Sequence, residues 1–331
     1  MTSTILEPDI ITEEVQIDVT LRPRSLSDFV GQPRLKQSLS LALSAAKKRG
    51  EPIDHVLLYG PPGLGKTTLS HIIAQEQGGT IHVTTGPALT RAGDLAALLT
   101  NLESGDVLFI DEIHRLSKVV EETLYSGMED GRLDLVLGKG PAARTVTVDL
   151  KPFTLVGATT LYGSLSGPLR SRFGIINKLE YYDDKDLSRV ITRSANILKI
   201  TLDPIAVLAL AKRSRGTPRI ANRLLRRARD TAQIHYNGHL SVQAVTDTVK
   251  LLEIDELGLD SSDRELLSHI ITHHKGGPVG VETIASALSE DVGTIEEVYE
   301  PYLIQLGLLA RTKSGRIVTD KAYTHLKVHR S

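Results

Sequence analysis

An apolar strand, His55 to Tyr59, runs into Gly60-Pro61-Pro62-Gly63-Leu64-Gly65-Lys66-Thr67 and then into a helical segment from Thr68 to Gln75. Strand, glycine-rich loop and helix in that order match G-x-x-x-x-G-K-[ST], and few folds accommodate the sequence. The backbone amides of such a loop, with those of the helix N-terminus, can wrap a polyphosphate. Gly63 and Gly65 keep that backbone open, Lys66 can neutralise the β and γ oxygens, and the Thr67 hydroxyl can reach Mg²⁺. ATP with Mg²⁺ is the expected ligand pair.

A second element supports the first. Val107-Leu108-Phe109-Ile110-Asp111-Glu112 reads as a buried strand ending in two acids, at the edge where parallel sheets place their ligands. Asp111 can hold the metal through water while Glu112 polarises an attacking water. A protein that only bound nucleotide would gain nothing obvious from the second acid, so the pair points to hydrolysis. Around these two motifs, residues 55 to 180 alternate short apolar runs with helical segments, the pattern of a parallel sheet covered by helices on both faces.

The rest of the 331 residues divides into further domains. Residues 1–20 form an acidic tail. Residues 21–182 hold the ATPase core, with a protruding hairpin over 129–151, and 183–253 read as a small helical lid. Residues 254–331 read as a winged helix. There, helices from Asp263 to His274, Val281 to Leu288 and Thr294 to Leu306 precede a hairpin turning at Lys313-Ser314-Gly315. The third of these helices is expected to start on a Thr294/Glu297 capping box and to bury Ile295, Val298, Tyr302, Leu303 and Leu306. A helical bundle with a C-terminal ribbon is the alternative. The absence of cysteine excludes disulfides, thiol catalysis and Cys-based metal sites. With 39 basic against 40 acidic residues, any nucleic-acid contact must come from local asymmetry. Two such regions stand out, the basic run 211–229 and the C-terminal segment from Arg311. No run approaches membrane-span length, and the acidic start resembles neither a secretory nor a transit signal, so a cytoplasmic protein is expected.

The chain resembles the AAA+ ATPases, and among them the RuvB family of Holliday-junction branch-migration motors. The resemblance rests on Leu21-Arg22-Pro23, the Leu58 to Thr68 stretch, Asp111-Glu112-Ile113-His114-Arg115-Leu116, Gly157-Ala158-Thr159-Thr160, Leu169-Arg170-Ser171-Arg172-Phe173-Gly174 and Gly216-Thr217-Pro218-Arg219. It implies a sensor at Thr159 and an arginine finger at Arg170 that reaches the neighbouring subunit's nucleotide. A strand-ending threonine could equally cap the following helix. By the same resemblance Arg172, Arg219, Leu21, Arg22, Thr68, Glu129, Asp130, Gly131 and Tyr182 are nucleotide-linked. The arginines after Arg219 are read as a solvated face or subunit contact, and His114 as a structural histidine.

For DNA, Arg311 and Arg316 flank the wing turn and can clamp phosphates without reading bases, whereas the third helix carries Glu296, Glu297 and Glu300 and is a poor groove reader. On the protruding hairpin, Leu133, Leu135 and Leu137 share one face that needs cover, either from a partner or from the hairpin's own domain. The resemblance implies a RuvA-type junction-binding protein there, a RuvC-type resolvase in the same complex, the duplex arms of a four-way junction as substrate, and a homohexamer. The rival reading is an ATP-switched DNA-binding loader of the clamp-loader type.

Overall fold

The computed structural model describes residues 20–137 and 144–329 and divides into two compact units, one ending at Tyr182 and the other beginning at Asp183. Residues 1–19 of the expected tail and the hairpin turn at Gly138-Lys139-Gly140-Pro141 lie outside the described residues.

In the first unit the chain forms β1 (Val56–Tyr59), β2 (Ile81–Thr85) and β3 (Val107–Asp111), then an antiparallel hairpin of β4 (Arg132–Leu137) and β5 (Arg144–Asp149). β6 (Thr154–Thr159) and β7 (Ile175–Lys178) complete a parallel five-stranded sheet of order β2-β3-β6-β1-β7. The three inner strands are apolar along nearly their whole length because a parallel sheet is covered on both faces. Val56, Leu57 and Leu58, Val107 through Ile110, and Leu155 and Val156 are all fully buried. The edge strands alternate instead: Val83 and Ile176 are exposed.

The register aligns Leu57 and Ile110 with Gly157, so the C-terminal ends of β1, β3 and β6 finish side by side. Gly157 leaves room at that row, since a Cβ there would stand 2.9 Å from the tip of Ile113 and 3.0 Å from that of Phe173, which would have to shift. One apolar cluster under this edge includes Leu95, Leu99, Leu108, Val120, Leu124 and, from the hairpin, Leu133.

Leu133 corrects the docking expectation. Its side chain is fully buried in its own domain, resting where Gly127 of the helix Lys118–Glu129 offers no Cβ. The base of the hairpin is therefore covered by its own chain. The side chains of Leu135 and Leu137 lie outside the described residues.

The second unit begins with helices Asp184–Ile197, Pro204–Lys212, Pro218–His235 and Val242–Leu251. A short parallel pair, β8 (Thr201–Leu202) with β9 (His239–Leu240), ties two loops together that the helical pattern alone does not reveal. Next come helices Ser261–His274 and Val281–Leu288, a helical run from Val292 to Gln305, the hairpin of β10 (Leu309–Thr312) and β11 (Gly315–Val318), and a final helix Asp320–Leu326. Leu266, Leu267, Ile270, Ile284, Ile295, Leu303 and Val318 make the core of this winged helix.

Three details differ from the sequence expectation. Thr294 is already helical and caps nothing, because the run starts at Val292 behind Asp291. The helix widens into a π turn over Ile295–Tyr299 just before Pro301, which has no N–H to continue the regular ladder. The wider turn rotates Val298 outward, to 55% exposure. The last helix, which sends Ala322 and Tyr323 into the core, was not expected.

Within this unit the lid and the winged helix meet through Arg215, held at φ 50° before the helix Pro218–His235. Its guanidinium donates to the Gly258 carbonyl at 2.7 Å, to Asp260 at 2.8 Å and to Asp263. Asp263 and Asp260 also close a capping box on the helix Ser261–His274. Burial pushes the Asp263 carboxyl up to about 6, with Arg215 opposing.

Candidate nucleotide site and nucleic-acid interface

Glycines at 60, 63 and 65 take φ of 142°, 79° and 103°, conformations that side chains resist, and they turn the chain from β1 into the helix Lys66–Gln77. At Gly60 the approach is closest: a Cβ would lie 2.5 Å from the Leu179 carbonyl oxygen. Lys66 is buried, and its ammonium donates to the Gly60 and Pro61 carbonyls at 2.7 and 2.9 Å. An ammonium held inside a glycine-rich loop at a helix N-terminus suits a polyphosphate, whose oxygens are stronger acceptors than amide carbonyls. Thr67 and Thr68 occupy the first helical turn, half-buried.

The two acids sit at the end of β3. Asp111 ends the strand and its Oδ1 accepts the Glu112 amide at 3.0 Å. Glu112 adopts the left-handed region, φ 49° and ψ 43°, an uncommon conformation for a glutamate that recurs at functional turns. Its carboxylate pairs with Arg115 at 2.9 Å and is about half exposed. Thr159 ends β6 in the next position across the sheet. Its carbonyl accepts the Gly60 amide at 3.2 Å, so the glycine-rich loop is hydrogen-bonded directly to the end of β6. The Thr159 hydroxyl lies 2.9 Å from His114 Nδ1 and also accepts the Leu161 amide at 2.9 Å. The Thr159 side chain thus caps the local turn through the Leu161 amide, although the N-cap of the following short helix is Leu161, and it meets His114 two residues after Glu112. His114 is the residue that motif reasoning undervalued. Its signal was only its place two residues after Glu112.

The predicted adenine-side residues gather at the same loop. Leu21 and Tyr182 are buried, and the Tyr182 hydroxyl donates to the Leu64 carbonyl at 3.4 Å. Arg22 reaches His71 of the helix Lys66–Gln77 at 3.5 Å, and burial, then Arg22, lowers the His71 pKa. Phe29 belongs with them although no motif marks it, for its ring lies 3.1 Å from where a Gly65 Cβ would stand.

Arg170 and Arg172 occupy the short helix Gly167–Ser171 and its cap. The Arg170 guanidinium lies over Tyr162, which stacks on Tyr59 at the end of β1, and its buried Nε has no hydrogen-bond partner among the described residues. Arg172 donates to Glu129 at 2.7 Å and to the Pro168 carbonyl at 2.8 Å, over the ring of Tyr125. The structure thus joins Glu129 and Arg172, two of the residues the resemblance links to nucleotide, in an ion pair. Asp130 caps the helix Lys118–Glu129, and Gly131 follows at φ 62°. Arg219 lies in the second unit, in the first turn of the helix Pro218–His235.

On the wing, Arg311 and Arg316 face each other across β10 and β11. The side chains differ in exposure: Arg311 is half exposed and Arg316 nearly buried. Both pair with Glu300, and both reach Glu296. Two of the three acids that were expected to repel DNA are therefore engaged by the wing arginines.

Three family models match in succession: the Holliday junction DNA helicase RuvB P-loop domain over residues 21–179, the RuvB AAA lid domain over 182–255 and the RuvB C-terminal winged helix domain over 256–327. The chain belongs to the RuvB family. It is 55% identical over 324 residues to the Holliday junction branch migration complex subunit RuvB of Dehalococcoides mccartyi (strain CBDB1), covering 98% of this chain and 93% of that one. It also resembles the solved Thermotoga maritima RuvB Holliday junction branch migration motor, with 54% identity, a TM-score of 0.87, and coverage of 94% of this chain and 99% of the other. A single-residue variant of that Thermotoga RuvB matches with the same identity and TM-score. The α/β ATPase core, helical lid and winged helix expected from the sequence are those of the RuvB family. Among the described residues no helix is long and apolar enough to cross a membrane, and no cluster of three or more His or acidic side chains could hold a metal alone.

Proposed function

We propose that this protein is an ATP-driven motor that moves Holliday junctions along duplex DNA, with Mg·ATP bound at the phosphate loop. The observation that carries the reading is the meeting of Gly60, Asp111, Glu112 and Thr159 on one sheet edge in a chain that also carries a winged helix. When bound, Mg²⁺ would neutralise phosphate charge, and Thr67 with Asp111 would hold it; their hydroxyl and carboxylate oxygens suit a hard cation that keeps part of its water shell.

The chain's own residues then divide the work. Lys66 exchanges its carbonyl partners for phosphate oxygens. Glu112 takes the proton of the attacking water, and its left-handed backbone turns the carboxylate off the strand. Thr159 holds the γ-phosphate or that water by hydrogen bond. Leu21, Arg22 and Tyr182 line the base. Arg170, with Arg172 and the Glu129-Asp130-Gly131 turn, serves the nucleotide of a neighbouring subunit in a homohexamer. Positioning and charge stabilisation of this kind are most of what phosphoryl transfer requires. Arg311 and Arg316 contact the phosphates of a duplex arm, and the hairpin beyond Leu133 docks a RuvA-type protein in a cytoplasmic complex that a RuvC-type resolvase joins.

The test is a labelled four-way junction with homologous arms, Mg²⁺, ATP and a RuvA-type partner. The native chain should dissociate it into two duplexes, while Glu112→Gln should bind nucleotide and junction without dissociating it. ATP-dependent binding with no dissociation by the native chain would instead favour the loader.

A further inference from the structure

The wing arginines are not free surface charges. In an antiparallel pair, like charges directly opposite one another repel, and Arg311 and Arg316 are such a pair. Glu300 lies between them, 1% exposed, at the foot of the hairpin. Arg316 donates Nε to Glu300 Oε1 at 2.6 Å and Nη2 to Oε2 at 3.5 Å. Arg311 donates Nε to the same Oε2 at 3.1 Å, with its Nη2 also on that oxygen. A buried carboxylate bound by both guanidiniums fixes their planes and separation.

Glu296, one turn earlier, occupies a different place. Its carboxylate is 39% exposed, accepts Arg316 Nη2 at 2.7 Å and lies 3.3 Å from Arg311 Nη2. It therefore takes the terminal nitrogens that a phosphate oxygen would use. Two glutamates touch the same arginines, one from beneath in the core and the other from the solvent side.

We propose that Glu300 is a positioning residue that presents Arg311 and Arg316 to the DNA backbone, while Glu296 competes with phosphate for the same guanidinium nitrogens. The inference rests on the reading of the wing as a duplex contact. It has an unusual consequence, because removing a negative charge from the DNA-binding face has opposite effects at the two positions. At 300 the loss of charge leaves Arg316 buried without its main counter-ion and lets the pair separate. At 296 it removes the solvent-side competitor for both terminal nitrogens, which keep only Glu300, and makes the cluster net positive.

The experiment measures binding of the full chain to a labelled linear duplex over a salt series, alongside thermal melting of each variant. Glu300→Gln should weaken binding about tenfold and lower the salt slope by about one, the value of one lost phosphate contact. Glu296→Gln should tighten binding about threefold with no loss in slope. The Glu296 arm is read independently should Glu300→Gln melt below the assay temperature. Equal tightening by both variants would overturn the proposal in favour of simple charge removal. A lowered melting temperature in Glu300→Gln with native affinity and slope would overturn it in favour of a purely structural role. Native binding by Arg311→Ala/Arg316→Ala would refute the duplex contact itself, and the proposal with it. Weakening by that double variant with no effect of either glutamine would overturn the proposal alone.

Discussion

Leu133→Ala tests whether the base of the protruding hairpin belongs to the core or to a docking face. Leu133 is fully buried and packs beside Leu99 and Leu150 above Gly127, where helix backbone takes the place of a side chain. Truncation would leave a cavity bounded partly by that backbone, which cannot collapse as a flexible side chain would. The cost should fall in the range of about 3–5 kcal/mol known for rigid leucine sites. In a unit of this size each kcal/mol moves the midpoint by roughly 2–4 °C, so melting should drop by about 6–20 °C. Val146, opposite Leu135 in the hairpin register and 42% exposed, is the control. Val146→Asp should stay within about 0.5 kcal/mol of native, as surface changes do, and any loss of a RuvA-type partner by that variant is then a docking effect. Both are read by calorimetry and pull-down. A Leu133→Ala protein melting within about 2 °C of native, or a Leu133→Asp protein that is folded but partner-deficient, would refute the core assignment.

Gly60→Ala should lower ATP affinity at least about tenfold in a fluorescent-nucleotide titration, because its Cβ meets the Leu179 carbonyl at 2.5 Å and φ 142° excludes it; native affinity would show that the loop has room to shift. Thr159→Val and His114→Phe should each slow ATP turnover, and the double variant should be no slower than Thr159→Val if the 2.9 Å contact couples them. Multiplying losses would separate the two residues. Asp106 is pushed upward by burial but held below its ordinary range overall by the Glu103 and Thr80 amides and by His82. A carboxylate depressed in the fold contributes stability above its unfolded pKa and loses it as pH falls through the folded value, so Asp106→Asn should flatten the acid limb of the melting profile below pH of about 4. Asp263 runs the other way: pushed up to about 6, between about pH 4 and 6 it holds a proton in the folded state that the unfolded chain has released. The second unit should gain stability as pH falls from about 6 toward about 4, a gain that Asp263→Asn abolishes. A flat native profile over that range would place the Asp263 carboxyl at its ordinary value.

The nucleotide site was legible because phosphate chemistry constrains short, contiguous stretches. Gly60 to Thr67 and Val107 to Glu112 each carry strand, turn and functional group within a few residues, and a parallel sheet must bring their C-terminal ends to one edge. His114 and Phe29 were not legible. Phe29 lies in no pattern, and His114 lies in one that does not say what its ring meets; their contacts follow from a sheet register and a loop approach that spacing does not encode.

The wing shows the same division. Two arginines around a glycine turn could be read directly, and so could three glutamates on the preceding helix. Their pairing could not, since it depends on a π turn ahead of Pro301 and on which glutamate the core buries. Leu133 was ambiguous for a similar reason: alternation assigns it to a face of the ribbon but does not say what lies against that face. The sequence alone determined the nucleotide chemistry, the order of α/β core, helical lid and winged helix, and the candidate charges for DNA, because all of these reside in local pattern. Tertiary structure decided which of those charges are neutralised, which leucine is covered and which histidine meets Thr159, because burial and pairing are properties of chain segments far apart in sequence.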